Sequence, residues 1–221
     1  MSEINAKLGF KVYSRDNLKA DRLIRASQQG YTMLEILMVI AIAAILVAVA
    51  VPSLQDTISR NARDSIQLDL MSSLALARSQ AVSLSRTVSV CHSSNQSTCS
   101  NTTGSEWNQG WLVFSDFDSD GVIDSGDGDT ILQVSNPGND IVTIKLLNSS
   151  NSTIAGEKVQ FNDDGFLENS SGGAYFKFCD PDNIADNSRA LWIANTGRAS
   201  MSIDDGDGVH DDLGGNNLSC P

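Results

Sequence analysis

Gly30-Tyr31-Thr32-Met33-Leu34-Glu35, continued without a break by the apolar run from Ile36 to Val51 and then by Pro52, decides the architecture of this chain. Between Tyr31 and Val51, 21 residues in all, only Thr32 and Glu35 are polar. At about 1.5 Å per helical residue such a run crosses the roughly 30 Å hydrocarbon core of a bilayer. It predicts a membrane-spanning helix with one carboxylate near its start. An ionisable side chain there costs on the order of 2.5–3.5 kcal/mol, so it needs a reason. The residues alone leave two open. Glu35 sits at the interface as a favourable charge at a helix N-terminus, or it pairs with a positive group inside an assembly.

Charge supports the membrane reading and orients it. The formal net charge is −12, but residues 1–30 carry Lys7, Lys11, Arg15, Lys19, Arg22 and Arg25 against Glu3, Asp16 and Asp21. That makes the leader about +3 and the rest about −15. Positive charge ahead of the helix predicts that the leader stays cytoplasmic and the C-terminal part is exported. A secretory signal would be cut after its apolar core. Here the only cleavage signal precedes the core, so the helix is expected to be retained.

A glycine followed by an aromatic, Thr, two aliphatics and Glu, and then a long apolar helix, resembles the processing site of type IV pilins and type II secretion pseudopilins. The resemblance implies that a prepilin peptidase cuts after Gly30, that Tyr31 becomes the N-methylated new N-terminus, and that Glu35 neutralises the N-terminal ammonium of a neighbouring subunit during assembly. Tyr31 stands where Phe is commoner in that family.

Beyond Pro52 the pattern turns amphipathic. Ile58, Ala62, Ile66, Leu70, Leu74, Ala77, Ala81 and Leu84 recur every three or four residues and form one stripe, with Arg60, Arg63, Asp64, Asp69 and Arg78 off it. After Ser85 the signal becomes β. Strands are expected over 87–90, 111–114, 131–134, 141–147, 158–161, 175–179 and 191–194, joined by Ser-, Asn-, Gly- and Asp-rich turns. The fold class is therefore α+β, a long N-terminal helix packed on antiparallel sheet. The expected divisions are a leader over 1–30, a transmembrane segment over 31–51, the amphipathic half of the helix over 52–86, and an exported β-rich domain over 87–221.

Leu76-Ala77-Arg78-Ser79-Gln80-Ala81, Val88-Ser89-Val90-Cys91 and Trp107-Asn108-Gln109-Gly110-Trp111-Leu112-Val113-Phe114 with Asp116 look like the GspH/FimT-type pilin domain. Asn195-Thr196-Gly197-Arg198 is similar to the Gly-Arg element of FimT and FimU minor pilins. The resemblance covers nearly all of residues 30–200 and implies a FimT/FimU-type minor pilin of a type IV pilus, acting in pilus initiation or at the tip. A type II secretion pseudopilin and a DNA-capturing minor pilin are the alternatives. The implied partners are other minor and major pilins, the prepilin peptidase and an inner-membrane assembly platform. The implied location is the inner membrane, single-pass with a periplasmic domain, then the pilus or pseudopilus.

Cys91, Cys99, Cys179 and Cys220 all fall on the exported side, where an even count suggests two disulfides. Four cysteines allow three pairings. Cys91 with Cys99 would pin a short loop, and Cys179 with Cys220 would tie the C-terminus to a strand, so that pairing is favoured. A zinc site is disfavoured because no two cysteines form a CxxC pair.

The sharpest constellation for chemistry runs from Asp116 to Asp127. Asp116, Asp118, Asp120, Asp124 and Asp127 occupy positions 1, 3, 5, 9 and 12 of a calcium loop, Gly121 is at 6, and Val122 at 7 would offer its carbonyl. Asp127 replaces the usual Glu and shortens the reach. The other reading is an acidic turn relieved by solvent between two strands. Asp204-Asp205-Gly206-Asp207-Gly208-Val209-His210-Asp211-Asp212 has poorer spacing and reads as a solvated loop. DNA binding is disfavoured, since Arg198 is followed by Ala199-Ser200 without a second arginine, and the exported part holds only nine Lys and Arg. No enzymatic motif surrounds His92 or His210, which read as surface loop residues, so the chain is not expected to be an enzyme and no cofactor is required. Trp107, Trp111 and Trp192 read as packing residues.

Overall fold

The computed structural model describes residues 30–100, 107–124, 126–138, 142–154, 156–168, 172–179, 188–212 and 214–220. The leader lies outside them except for Gly30, as does Ile141 of the fourth expected strand. The chain divides into two compact units, Met1–Val47 and Ala48–Pro221.

In the first unit the helix α1, Met33–Leu84, begins at a side-chain cap. Thr32 Oγ1 accepts the Glu35 backbone N–H at 3.2 Å, and the Thr32 carbonyl accepts Ile36 N–H. Thr-x-x-Glu is the sequence of a capping box. Every described residue from Gly30 to Val51 is exposed, including Ile36, Leu37, Ile40, Leu46 and Val49. A run of aliphatic side chains left outside any core among the described residues is what a hydrocarbon or protein neighbour would cover.

In the second unit the helix carries the amphipathic stripe, and eight strands follow it. They are β1 (Val88–His92), β2 (Trp111–Ser115), β3 (Thr130–Ser135), β4 (Thr143–Asn148), β5 (Lys158–Phe161), β6 (Ala174–Cys179), β7 (Arg189–Ile193) and β8 (Ala199–Met201). They form two antiparallel four-stranded sheets rather than one, ordered β3-β2-β1-β5 and β4-β6-β7-β8. One core joins the helix to both sheets. Ile66, Leu70, Leu74, Ala77 and Ala81 meet Val88, Val90, Trp111 and Val113 of the first sheet and Ile144, Leu146, Phe176, Phe178 and Leu191 of the second. Trp107 fills the seam, its ring edge-on to Phe176 with centroids 4.7 Å apart.

The stripe holds from Ile66 to Ala81, whereas Ile58 and Leu84 at its ends are exposed. Arg63 departs from expectation: it is buried, with its Nε 3.4 Å from an Asp64 carboxylate that remains exposed. Positions 63, 66, 67 and 70 share one helical face, so the buried surface is wider than its apolar members alone indicate. Polar residues on that face bond to the sheets. Ser73 Oγ accepts Trp111 Nε1–H at 2.9 Å and Gln133 Nε2–H at 3.0 Å, while Gln67 Nε2 donates to the Ala190 carbonyl at 3.1 Å. Asp69 also takes a short hydrogen bond from Ser135. Buried polar groups paired in this way cost little and fix the helix in register.

Disulfides link Cys91 to Cys99 and Cys179 to Cys220. The second crosses 41 residues and, with Lys177 Nζ donating to the Ser219 carbonyl at 3.0 Å, fastens the C-terminal segment to β6.

His92 was expected at the surface and is buried instead. β1 runs two residues beyond its apolar alternation, pairing His92 with Trp111 and placing its ring 6.4 Å from Trp107. Burial lowers its pKa below the ordinary 6.5. A depressed folded-state pKa means that its stabilisation is complete above about pH 6.5 and is lost as pH falls below that value. The full-length chain in detergent is therefore expected to melt at lower temperature at pH 5 than at pH 7. The drop should be smaller in His92→Gln, and equal drops in the two proteins would contradict this assignment.

Candidate functional site

Two places in the fold carry chemistry beyond packing. The first is the start of α1. Gly30 and Tyr31 are both exposed, and a Cβ built on Gly30 would meet nothing within 4 Å. The fold of the chain itself therefore does not require glycine there. Glu35, three residues inside the cap, is exposed in the first turn, where a negative charge is favoured.

The second is the loop between β2 and β3. Asp116 leaves β2 with its side chain fully buried. Its Oδ2 accepts three donors: Ser89 Oγ at 2.6 Å, Gly121 N–H at 2.9 Å and Gln160 Nε2 at 3.3 Å. Ser89 and Gln160 stand opposite each other on β1 and β5, so adjacent strands supply two of the three. The third comes from a tight turn in which Ser119 and Gly121 both have positive φ. At Gly121 a Cβ would collide with the Lys158 side chain, and Lys158 Nζ in turn donates to the Asp120 carbonyl. Glycine is favoured here by its positive φ, whereas the flexible Lys158 side chain could shift to admit a Cβ.

Asp116 Oδ1, by contrast, is buried without a hydrogen-bond partner. One carboxylate oxygen from each of Asp116, Asp118 and Asp120 lies within 4.8 Å of the others, a grouping that could hold a metal ion. Burial pushes the Asp116 carboxyl above the usual range, against the pull of its Ser89 and Gly121 donors, and Asp129 adds to the rise. Asp124 is also raised, by desolvation first and then by Asp127, Asp129, Asp118 and Asp120.

The loop is closed by Asp129, which the calcium-loop spacing did not single out. Its Oδ1 accepts Phe117 N–H at 2.8 Å and its Oδ2 accepts Asp124 N–H at 3.1 Å. Asp127 is exposed, as is Val122. Ile123 packs against a small cluster of Cys91, Leu112 and Phe114, so the loop caps the outer face of the first sheet. Only the position of Asp129 beside Thr130, the first residue of β3, could have flagged it.

A family model described as type II transport protein GspH matches residues 68–197, and one for the prokaryotic N-terminal methylation motif matches residues 25–51. The chain belongs to the GspH family. Its members are pilin-like structural subunits rather than enzymes, and this GspH-family chain carries the prokaryotic N-terminal methylation motif, a prepilin processing motif, at the start of its apolar helix. Among curated proteins no match was found. Similar solved structures include the type IV minor pilin FimU of Pseudomonas aeruginosa, at 24% identity and a TM-score of 0.47, covering 65% of this chain and 90% of that one. Another is the minor pseudopilin EpsH from the type 2 secretion system of Vibrio cholerae, at 8% identity and a TM-score of 0.36, covering 65% of this chain and 98% of that one.

The other residues singled out in this GspH-family chain have structural settings. Arg198 is exposed on the turn between β7 and β8. Its neighbour Gly197 is buried at positive φ, and a Cβ there would sit 2.1 Å from the Gly165 carbonyl oxygen. That carbonyl also accepts Arg78 Nε–H from α1 at 3.1 Å. The glycine is thus explained by two turns meeting over the helix. His210 is half-buried rather than a surface residue, its Nδ1 2.9 Å from Ser202 Oγ. Asp204, Asp205 and Asp207 form a second acidic group that could hold a metal, but all three are exposed. Backbone N–H groups of Gly206 and Gly208 bond to Asp204 and hold its carboxyl below the ordinary range.

Proposed function

We propose that the chain is a minor pilin of a type IV pilus, acting in filament initiation or in the tip complex with other minor pilins. The observation that carries the reading is a processing motif set directly before an apolar helix that the described part of its own chain leaves uncovered. On this reading the precursor sits in the inner membrane through residues 31–51 with its β-rich domain in the periplasm. Prepilin peptidase cuts between Gly30 and Tyr31, Tyr31 is N-methylated, and the helix then moves from lipid into the filament core. Glu35 pairs there with the terminal ammonium of a neighbour, since a carboxylate and an ammonium entering a low-dielectric bundle are tolerated best as a pair. No cofactor is required for that role.

A second reading, a pseudopilin of a type II secretion system, is favoured by the description of the matched family model. Deletion of the chain in its own host separates the two. Loss of surface filaments, with the mature subunit recovered from sheared wild-type pili, supports the pilus reading. Normal pili with loss of exoprotein secretion supports the other. DNA capture through Arg198 is disfavoured by Ser200 at the place of a second arginine and by the acidic domain; DNA retention that weakens steeply with salt would reinstate it.

A further inference from the structure

We propose that the β2–β3 loop is a calcium site, with Asp116 Oδ1 as its buried anchor and Asp118, Asp120 and Asp124 as the remaining carboxylate ligands. Asp116 is what separates this loop from an ordinary acidic turn. Its side chain is buried, one oxygen is saturated by three donors, and the other has none. A buried carboxylate oxygen without a donor is costly, and a cation removes the cost. The three donors on Oδ2 restrain the carboxylate and leave Oδ1 as the oxygen free to take an ion. This arrangement is present in the chain whether the filament is a pilus or a pseudopilus.

Asp118 and Asp120 are in reach. Oxygens bound to one calcium at about 2.3–2.6 Å from it lie at most about 5 Å apart. The Asp116, Asp118 and Asp120 oxygens satisfy that limit with a separation within 4.8 Å. Asp124 stands outside that grouping; it is included as a ligand for its place at position 9 of the loop and for its buried Oδ1, which also lacks a hydrogen-bond partner. Among the described residues no Lys or Arg forms an ion pair with any of these carboxylates. Lys158, beside the loop, spends its ammonium on the Asp120 carbonyl. Several carboxylate oxygens gathered in one loop favour calcium over magnesium, which demands a tighter octahedron and keeps its water. The second acidic group, Asp204, Asp205 and Asp207, is wholly exposed and does not include the buried Asp211 nearby, so it is not part of the site.

Binding would tie the loop to β1 through Ser89 and to β5 through Gln160, and would hold Ile123 on the outer face of the sheet.

The test is calorimetric titration of the full-length chain in detergent micelles with calcium chloride, then with magnesium chloride. One calcium per chain is expected, with a Kd on the order of 10⁻⁴–10⁻³ M, as in extracellular modules, and magnesium at least about tenfold weaker. Asp116→Asn and Asp118→Asn should each weaken binding at least about tenfold, and Asp204→Asn should leave it unchanged. Asp118 is exposed, so its variant remains informative should the buried Asp116→Asn fail to fold. Absence of saturable calcium heat in the folded wild type would overturn the proposal. So would binding that survives Asp118→Asn or disappears with Asp204→Asn. None of these outcomes depends on which filament the subunit joins.

Discussion

Replacement of Glu35 by alanine is expected to leave cleavage after Gly30 intact and to lower the amount of the subunit in filaments at least about tenfold, corresponding to about 1.4 kcal/mol or more of lost pairing. Two roles meet at this residue. One is local, because Glu35 is the third residue past the Thr32 cap and favours the helix start. The other is intermolecular, the pairing with a neighbour's terminal ammonium. Glu35→Gln separates them, since glutamine serves a capping box as well as glutamate but carries no charge. If pairing is what matters, Glu35→Gln fails in assembly as Glu35→Ala does. Full incorporation of Glu35→Gln, quantified by immunoblot of sheared filaments against the membrane pool, would reduce Glu35 to a helix-capping residue.

The largest effect on stability is expected at Phe176. It is fully buried at the middle of β6, pairs with Leu146 of β4 and Leu191 of β7, and meets Trp107 edge-on. Through Trp107 and the helical stripe it belongs to the single core that joins α1 to both sheets. Phe176→Ala is expected to cost about 3–5 kcal/mol, the sum of lost transfer energy and an unfilled cavity. Urea denaturation of the full-length chain in detergent, followed by tryptophan fluorescence, measures it. A loss below about 1 kcal/mol would mean that the second sheet is not packed on this core as described.

Much of the architecture was legible because its signals are local. The 21-residue apolar run after Gly30 admits few readings, and a stripe repeating every three or four residues from Ile66 to Ala81 specifies a buried helical face. The alternation over 87–90 and the aromatic and aliphatic run over 111–114 were visible for the same reason, and they became the strands Val88–His92 and Trp111–Ser115. What escaped depends on contacts distant in sequence. The split into two sheets is set by which strands pair, and β8, three residues long, has no pattern to read. Arg63 lies off the apolar stripe and His92 adjoins a Ser/Asn-rich segment, so both read as exposed, while the observed packing enclosed them. In the acidic loop, spacing found Asp116, Asp118 and Asp120. It could not reveal that Ser89 and Gln160 from neighbouring strands saturate one oxygen of Asp116 and leave the other bare. Asp129 was missed because a twelve-residue template stops short of it.

The central claim is that this chain is processed between Gly30 and Tyr31 and keeps its apolar helix. Intact-mass and N-terminal analysis of the protein recovered from sheared filaments and from the inner membrane of its own host tests it most directly. A mature chain beginning at an N-methylated Tyr31 and retaining residues 31–51 is expected. A mature chain beginning beyond Val51, or one that still carries its leader in cells with an active prepilin peptidase, would contradict it.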